Sequence, residues 1–173
     1  LGDVYKRQVV LNSRLPAVWL GWLAFILMVV GAVLVDWMVF AGKADVLFTS
    51  YPPLMADHKY YLGIILFAVG ALIVCGLFFA SLHVAKRDKT YEGSVPLVTF
   101  GALTAAIIAV ISLLHGAVIY IPTWLWSLDV MGIDAQLYRL IWWGLGHSSQ
   151  QINVAAMVAI WYLLAGLTVG GVV

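Results

Sequence analysis

Residues 97–126 read LVTFGALTAAIIAVISLLHGAVIYIPTWLW and contain no Asp, Glu, Lys or Arg. The uncharged stretch follows Pro96, and the nearest formal charges on its two sides are Glu92 and Asp129. A helix needs roughly 20 apolar residues to cross a hydrocarbon core about 30 Å thick. This stretch therefore predicts a membrane-spanning helix, and its excess length allows tilt or projection beyond the hydrocarbon.

The composition of the whole chain agrees with a membrane location. Of the 173 residues, 64% are hydrophobic and 10% are charged, whereas an ordinary soluble domain has about 45–50% apolar and about 25% charged residues. These values exclude a water-soluble globule, a disordered chain, a collagen-like fibre and a nucleic-acid-binding domain. The single cysteine, Cys75, excludes an internal disulfide.

Three further stretches are apolar enough to cross a bilayer. The four predicted spans run from about Leu15 to Val35, from about Tyr60 to Val84, from the residue after Pro96 to about Trp126, and from near Arg139 to the C-terminal residue. The predicted fold is all-α: a polytopic membrane helical bundle with four transmembrane helices and the lipid bilayer around it.

The loops between the spans differ in charge, which predicts their orientation. Basic residues precede the first span and follow the second: Arg14, Lys86, Arg87 and Lys89. The loops after the first and third spans are richer in acidic residues: Asp36, Asp45, Asp57, Asp129 and Asp134. Because basic loops stay on the cytoplasmic side, the N-terminus and the 86–89 loop of this multi-pass membrane protein are predicted to be cytoplasmic.

The two ends of the chain differ from the rest. The opening octamer, LGDVYKRQ at residues 1–8, is polar, and we interpret residues 1–12 as a polar N-terminal tail that begins with a foreign end. Residues 13–173 then form one transmembrane domain. The first residue is not methionine and the last residues stop within an apolar stretch, so the chain is expected to be part of a longer protein.

The fourth span carries a polar cluster, GHSSQQIN, at residues 146–153. A polar side chain in hydrocarbon costs free energy unless it has a partner. On a helix, His147 and Gln151 share one face, and Tyr162 is only slightly rotated from it. His147 would lie about 12 Å beyond Arg139, and Tyr162 about 22 Å further along the axis. An imidazole binds copper, iron or zinc, so the cluster is a candidate metal site; the alternative is interhelical hydrogen bonding, which Ser, Asn and Gln commonly provide.

The other histidines are weaker candidates, and one histidine supplies only one of the three or four ligands that a metal site requires. His58 lies in a predicted outer loop and His83 at a predicted inner helix end. His115 lies inside the third span, where it is expected to be a buried hydrogen-bonding residue or a group on a proton pathway.

Four stretches occur in the order and spacing of a known membrane family. The segment WWGLGH at residues 142–147 resembles subunit I of the haem-copper oxidases, nearest to their B family. The segment FTSYPPL at 48–54, followed by YLG at 61–63, is similar to the outer loop between that family's third and fourth helices, and VPLVTF at 95–100 resembles the start of its fifth. By this resemblance the four spans are helices three to six of a twelve-helix subunit, and residues 13–173 are part of its transmembrane domain.

The resemblance implies a role for the polar cluster. The matching histidine of the family binds the copper that faces a high-spin haem, where oxygen is reduced to water, and a low-spin haem delivers the electrons. His147 is therefore the expected copper ligand, while most other copper and haem ligands are expected outside this chain. Tyr162 matches a tyrosine of the B family's proton path, and an interfacial anchor is the alternative role for its phenol.

Two residues depart from the oxygen-reducing pattern of the family. Ser148 stands where the A and B families have a proline after the histidine, and Gln151 stands where they have a tyrosine joined to that histidine. That tyrosine gives an electron and a proton to the O–O bond, which a primary amide cannot do. Gln151 is therefore expected to line the binuclear centre in place of the tyrosine. The nitric oxide reductases of the superfamily also lack the tyrosine, and some have a glutamate there.

Three functions are consistent with these observations. The first is a respiratory terminal oxidoreductase of aerobic electron transport that reduces O2 to water at a haem-copper centre and translocates protons. Its expected partners are cytochrome c or a quinol as electron donor, and other oxidase subunits. The second is a nitric oxide reductase on the same scaffold. The third is a non-enzymatic four-helix membrane protein whose polar residues only hold its helices together.

Overall fold

The computed structural model describes residue 13, residues 15–47 and residues 50–169. Within them every regular element is a helix: α1 (Val18–Phe40), α2 (His58–Arg87), α3 (Leu97–Ser127), α4 (Ala135–Ile141) and α5 (Trp143–Val169). The helices α1, α2 and α3, and α4 with α5 together, are each long and apolar enough to cross a membrane. The predicted all-α bundle with four spans is confirmed. The opening octamer and the rest of the predicted tail up to residue 12 lie outside the described residues.

Helix α1 extends beyond the apolar run that predicts it. The sequence places Asp36 in the loop after the first span, which is wrong, because Asp36 lies within α1 and is exposed on its surface. Nothing between Asp36 and Phe40 disrupts helical geometry, so the helix continues to Phe40 and ends just before Gly42, which has a φ of 65°. There the N–H of Gly42 donates to the Val39 carbonyl, and the N–H of Lys43 donates to the Met38 carbonyl. This is the usual pair of bonds at a helix end that a glycine terminates.

Aspartates begin the two helices that start at the end of the bundle where the 41–57 loop lies. The Asp57 carboxylate accepts a hydrogen bond of 2.9 Å from the N–H of Lys59 at the start of α2, and this bond lowers the pKa of Asp57. The Asp134 carboxylate accepts bonds from the N–H groups of Gln136 and Leu137. Because Asp134 caps it, the fourth span begins at Ala135 and not near Arg139 as predicted from the last charge.

The helices pack in chain order: α1 against α2, α2 against α3, and α3 against α5. Helices α1 and α2 approach closely, because glycines face each other across the contact. A β-carbon on Gly31 would lie 2.8 Å from the backbone nitrogen of Phe67, and one on Gly63 would lie 2.8 Å from the Val35 side chain. Helices without side chains at the contact point can bring their backbones together, as is common in membrane bundles.

The 41–57 loop is packed onto the helix ends. Two tyrosines of α2 hold it by their hydroxyl groups: Tyr60 forms a 2.6 Å hydrogen bond with Ser50, and Tyr61 accepts a 3.0 Å bond from the N–H of Ala56. Tyr61 is fully buried, together with Val46 of the loop. The described part of the loop is therefore attached to the start of α2 at both Ser50 and Ala56.

Candidate functional site

The fourth span is interrupted at Trp142, where α4 ends and α5 begins. The N–H of Leu145 donates at 3.0 Å to the carbonyl of Trp142, whereas in a continuous helix it would donate to Ile141, four residues earlier. The single helix that the apolar run predicts is therefore two helices, and the polar cluster lies in the first turns of the second.

Aromatic rings surround this interruption. The Trp142 ring is buried and makes edge-to-face contacts with Tyr120 of α3, at a centroid distance of 5.0 Å, and with Tyr51 of the 41–57 loop, at 6.1 Å. Such arrangements are favourable for aromatic pairs. The Tyr-Pro-Pro-Leu segment that resembles a family loop thus contacts the start of the helix that carries His147.

His147 lies on the first turn and a half of α5 and is exposed. Its ring stacks on that of Trp143, one helical turn earlier, with centroids 4.9 Å apart and planes inclined by 26°. Within the described residues the imidazole makes no hydrogen bond, so its nitrogens are available to a ligand. Trp143 orients the ring without using either nitrogen.

Gln151 lies one turn further along α5 and is also exposed, with no side-chain hydrogen bond to the described residues. The two serines between them bond within their own helix: the Ser148 hydroxyl donates to the Gly144 carbonyl, and the Ser149 hydroxyl donates to the Gly146 carbonyl at 3.0 Å. The interhelical bonds expected of these serines under the packing hypothesis are not formed among the described residues.

The opposite face of α5 packs against α3. Ala159 is fully buried there, close enough to Gly101 that a β-carbon on that glycine would lie 2.9 Å from the Ala159 methyl group, and Leu145 contacts Gly116. His147 and Gln151 therefore point away from the other spans of this chain, onto a face that those spans leave uncovered.

The donor set tests whether this face fits a copper ion. An imidazole without a protein partner, accessible and held at a fixed orientation, is a suitable copper ligand. The described residues contain no group of three or more His, Cys, Asp or Glu side chains placed to hold a metal. His147 therefore fits as one ligand of a site whose other ligands must come from outside the described residues.

Tyr162 lies deeper along α5 and is 40% exposed. Its side chain lines a groove of about 300 Å³ between α5 and α3, which also includes Thr104, Phe100 and Val158. Thr104 contributes the other side-chain hydroxyl of the groove and donates to the Phe100 carbonyl at 3.0 Å.

His115 is half-buried in α3, and its side chain forms a hydrogen bond with the backbone near the start of the fourth span. Its Nε2 lies 2.9 Å from the Ile141 carbonyl oxygen, which confirms its expected role as a hydrogen-bonding residue. Neither this bond nor the stacking of Trp143 on His147 was predicted from the sequence. The stack could have been found from the spacing of Trp143 and His147, whereas the His115 bond has no local signal.

The fold and this face define a polytopic membrane protein with a candidate metal ligand on the first turns of its last span. A family model described as cytochrome c and quinol oxidase polypeptide I matches residues 4–170, and the chain belongs to this family. The resemblance to the haem-copper oxidases is thereby confirmed.

The two relatives described next are much longer than the chain. It is 30% identical over 171 residues to cytochrome c oxidase subunit 1 of Thermus thermophilus, a match that covers 95% of this chain and 29% of that protein. A cryo-EM structure of a haem-copper terminal oxidase dimer is similar with a TM-score of 0.81 and 27% identity, over 88% of this chain and 26% of that one. The chain is thus similar to one part of a subunit I and spans less than a third of either relative.

Proposed function

We propose that the chain is part of a respiratory terminal oxidase that reduces O2 to water at a haem-copper centre and translocates protons. One observation carries the proposal: the His147 imidazole, stacked on Trp143, has no hydrogen-bonding partner among the described residues and lies on the uncovered face of α5. It stands at the position that resembles the copper ligand of the family. Family membership supports the copper and the two haems, whose remaining ligands would come from other parts of the subunit.

Each residue of the face has a distinct task in this proposal. The copper and the high-spin haem, when bound, would supply electrons to the gas. His147 binds the copper, and Trp143 restricts the rotation of the imidazole. Gln151 lines the space beside the copper with a neutral amide, and Tyr162 holds a proton at its phenol oxygen on a route from the opposite end of α5.

The proposed setting follows from the same resemblance. The subunit would lie in the cell inner membrane with its N-terminus in the cytoplasm, consistent with the basic 86–89 loop. It would associate with other oxidase subunits and receive electrons from cytochrome c or a quinol. The B family is the proposed subtype.

Nitric oxide reduction is a second candidate, because Gln151 occupies the place of the redox-active tyrosine. Under the oxidase proposal, we expect the complete enzyme to consume O2. Gln151→Leu is expected to change the rate or the KM for the gas about 10-fold, because removing a positioned polar group beside a reacting ligand costs about this much or more. Oxygen and nitric oxide electrodes, used in parallel, measure both activities.

The matched control is Gln150→Leu, because Gln150 is also exposed but lies about 100° around the helix. It is expected to change neither activity more than about twofold. Turnover of nitric oxide without turnover of O2 would replace the oxidase proposal by its alternative. Equal effects of the two substitutions would remove Gln151 from the site.

The proton route predicts a separate effect for the Tyr162 phenol. Tyr162→Phe is expected to slow turnover about 10-fold or more while leaving copper and haem content unchanged, because the hydroxyl that carries the proton is lost. Steady-state turnover in H2O and D2O measures this. Tyr138→Phe, at a partly exposed phenol of α4, is the control. Turnover as in the unmodified enzyme after Tyr162→Phe would leave Tyr162 as an interfacial anchor.

A further inference from the structure

The interruption at Trp142 creates an unusual backbone group. Because the N–H of Leu145 bonds to Trp142, the carbonyl of Ile141 has lost the partner that a continuous helix would give it. Ile141 is partly buried, and an unpaired backbone carbonyl that is shielded from water is costly. A group from elsewhere in the protein must satisfy it.

His115 supplies that group from α3, 26 residues away in the chain. A carbonyl oxygen only accepts hydrogen bonds, so Nε2 of His115 carries the proton in this 2.9 Å contact. The bond is the one side-chain hydrogen bond that joins α3 to the fourth span among the described residues. It fixes the end of α4 relative to α3 at the point where the chain turns into α5.

Gly144 allows the imidazole to reach the carbonyl. A β-carbon at position 144 would collide with Nε2 and would lie 2.6 Å from Cε1 and 2.9 Å from Cδ2 of the His115 ring. The ring thus lies directly against the backbone of the first turn of α5. His115 and Gly144 form a pair in which the histidine bonds to one side of the interruption and packs against the other.

The contact lies close to the proposed copper ligand. Gly144 immediately follows Trp143, whose ring stacks on His147, and it accepts the Ser148 hydroxyl bond from the residue after His147. The rotation of this first turn about the helix axis sets the direction in which the His147 ring points. A shift of about 1 Å in a catalytic group is enough to reduce activity strongly.

We propose that His115 is a positioning residue for His147: its Nε2–H bond to the Ile141 carbonyl, made across Gly144, sets the rotation of the first turn of α5 and so the direction of the copper ligand. This inference rests on the proposed function, because a positioning role needs a copper ligand to position. The inference predicts that a substitution of His115 and a substitution of Gly144 change the orientation of His147 in the same way.

The test compares four variants of the complete enzyme. His115→Leu removes the donor, His115→Gln keeps an N–H donor, Gly144→Ala displaces the ring without altering it, and Gly76→Ala is the control, since a β-carbon at Gly76 meets nothing within 4 Å. The first readout is hydrogen exchange of the backbone amides of residues 145–148 in detergent, which needs no copper. The second is the infrared stretching band of carbon monoxide transferred to the copper after photolysis from the haem.

We expect His115→Leu and Gly144→Ala to speed amide exchange at residues 145–148 at least 10-fold, and to shift or broaden the carbon monoxide band. His115→Gln is expected to restore both readouts in part, and Gly76→Ala to leave both unchanged. The inference would be overturned if either His115→Leu or Gly144→Ala had the amide exchange rates and the carbon monoxide band of the unmodified enzyme. If the unmodified enzyme holds no copper, the proposed function fails, while the exchange measurement still shows whether His115 fixes the first turn of α5. If a His115 variant does not fold, Gly144→Ala provides the result, because it retains the histidine.

Discussion

Replacing His147 by alanine in the complete oxidase is expected to remove the copper and abolish turnover. The imidazole is the one ligand that this chain is proposed to supply, and its nitrogens have no other partner among the described residues. Removing an outer-shell partner of a metal typically costs about 10–100-fold in affinity or activity, so loss of a ligand should cost more than about 100-fold. Metal analysis, expressed as copper per haem, and gas consumption measure the two effects.

His83→Ala is the control for this experiment. His83 is exposed near the end of α2 farthest from the 41–57 loop, so its removal should leave copper and turnover unchanged. Both proteins should retain the low-spin haem spectrum, since His147 is not expected to bind that haem. Copper retained after His147→Ala would remove this residue from the metal site.

The second large effect is expected at the contact between α1 and α2. Gly31→Ala places a methyl group 2.8 Å from the backbone nitrogen of Phe67, and a backbone atom cannot move aside as a flexible side chain can. The two helices must therefore separate, which should lower the free energy of unfolding by about 1–3 kcal/mol, as overpacking of a tight interior does. Thermal unfolding of the detergent-solubilised enzyme measures the loss as a lower Tm.

Gly76→Ala again provides the comparison, because it makes the same chemical change in a helix where the β-carbon meets open space. Alanine is favoured over glycine in helices by up to about 1 kcal/mol, so this variant should be neutral or slightly more stable. If both variants unfold at the temperature of the unmodified enzyme, the close approach of α1 and α2 is not needed for stability.

The spans could be predicted from the sequence because hydropathy depends on residue type alone. The third span, predicted to follow Pro96 and to continue to about Trp126, is α3 over Leu97–Ser127. The predicted end of the first span and the predicted start of the fourth were wrong for a local reason. Both were placed at charged residues, whereas α1 ends at the turn formed by Gly42 and α4 begins at the cap formed by Asp134.

The interruption at Trp142 could not be predicted in the same way. No proline stands there to break the helix, and the residues next to Trp142 are apolar, as in a continuous membrane-spanning helix. The free carbonyl of Ile141 is satisfied by His115, which is distant in sequence, so the cause of the interruption lies in tertiary structure.

The candidate site was predictable in part. The spacing of His147 and Gln151 placed them on one face, and the structure has both exposed on the same continuous helix. The role of His147 as a copper ligand stays a prediction, because the other ligands of such a site are not among the described residues. The groove beside Tyr162 could not be predicted, because it is formed by the packing of α3 against α5.

The edge-to-face contact between Tyr51 and Trp142 has a consequence for how the protein is made. Proteins are synthesised from the N-terminus, so the loop that carries Tyr51 leaves the ribosome well before the residues of α5. The contact can therefore form only when the fourth span packs against residues that were synthesised before it.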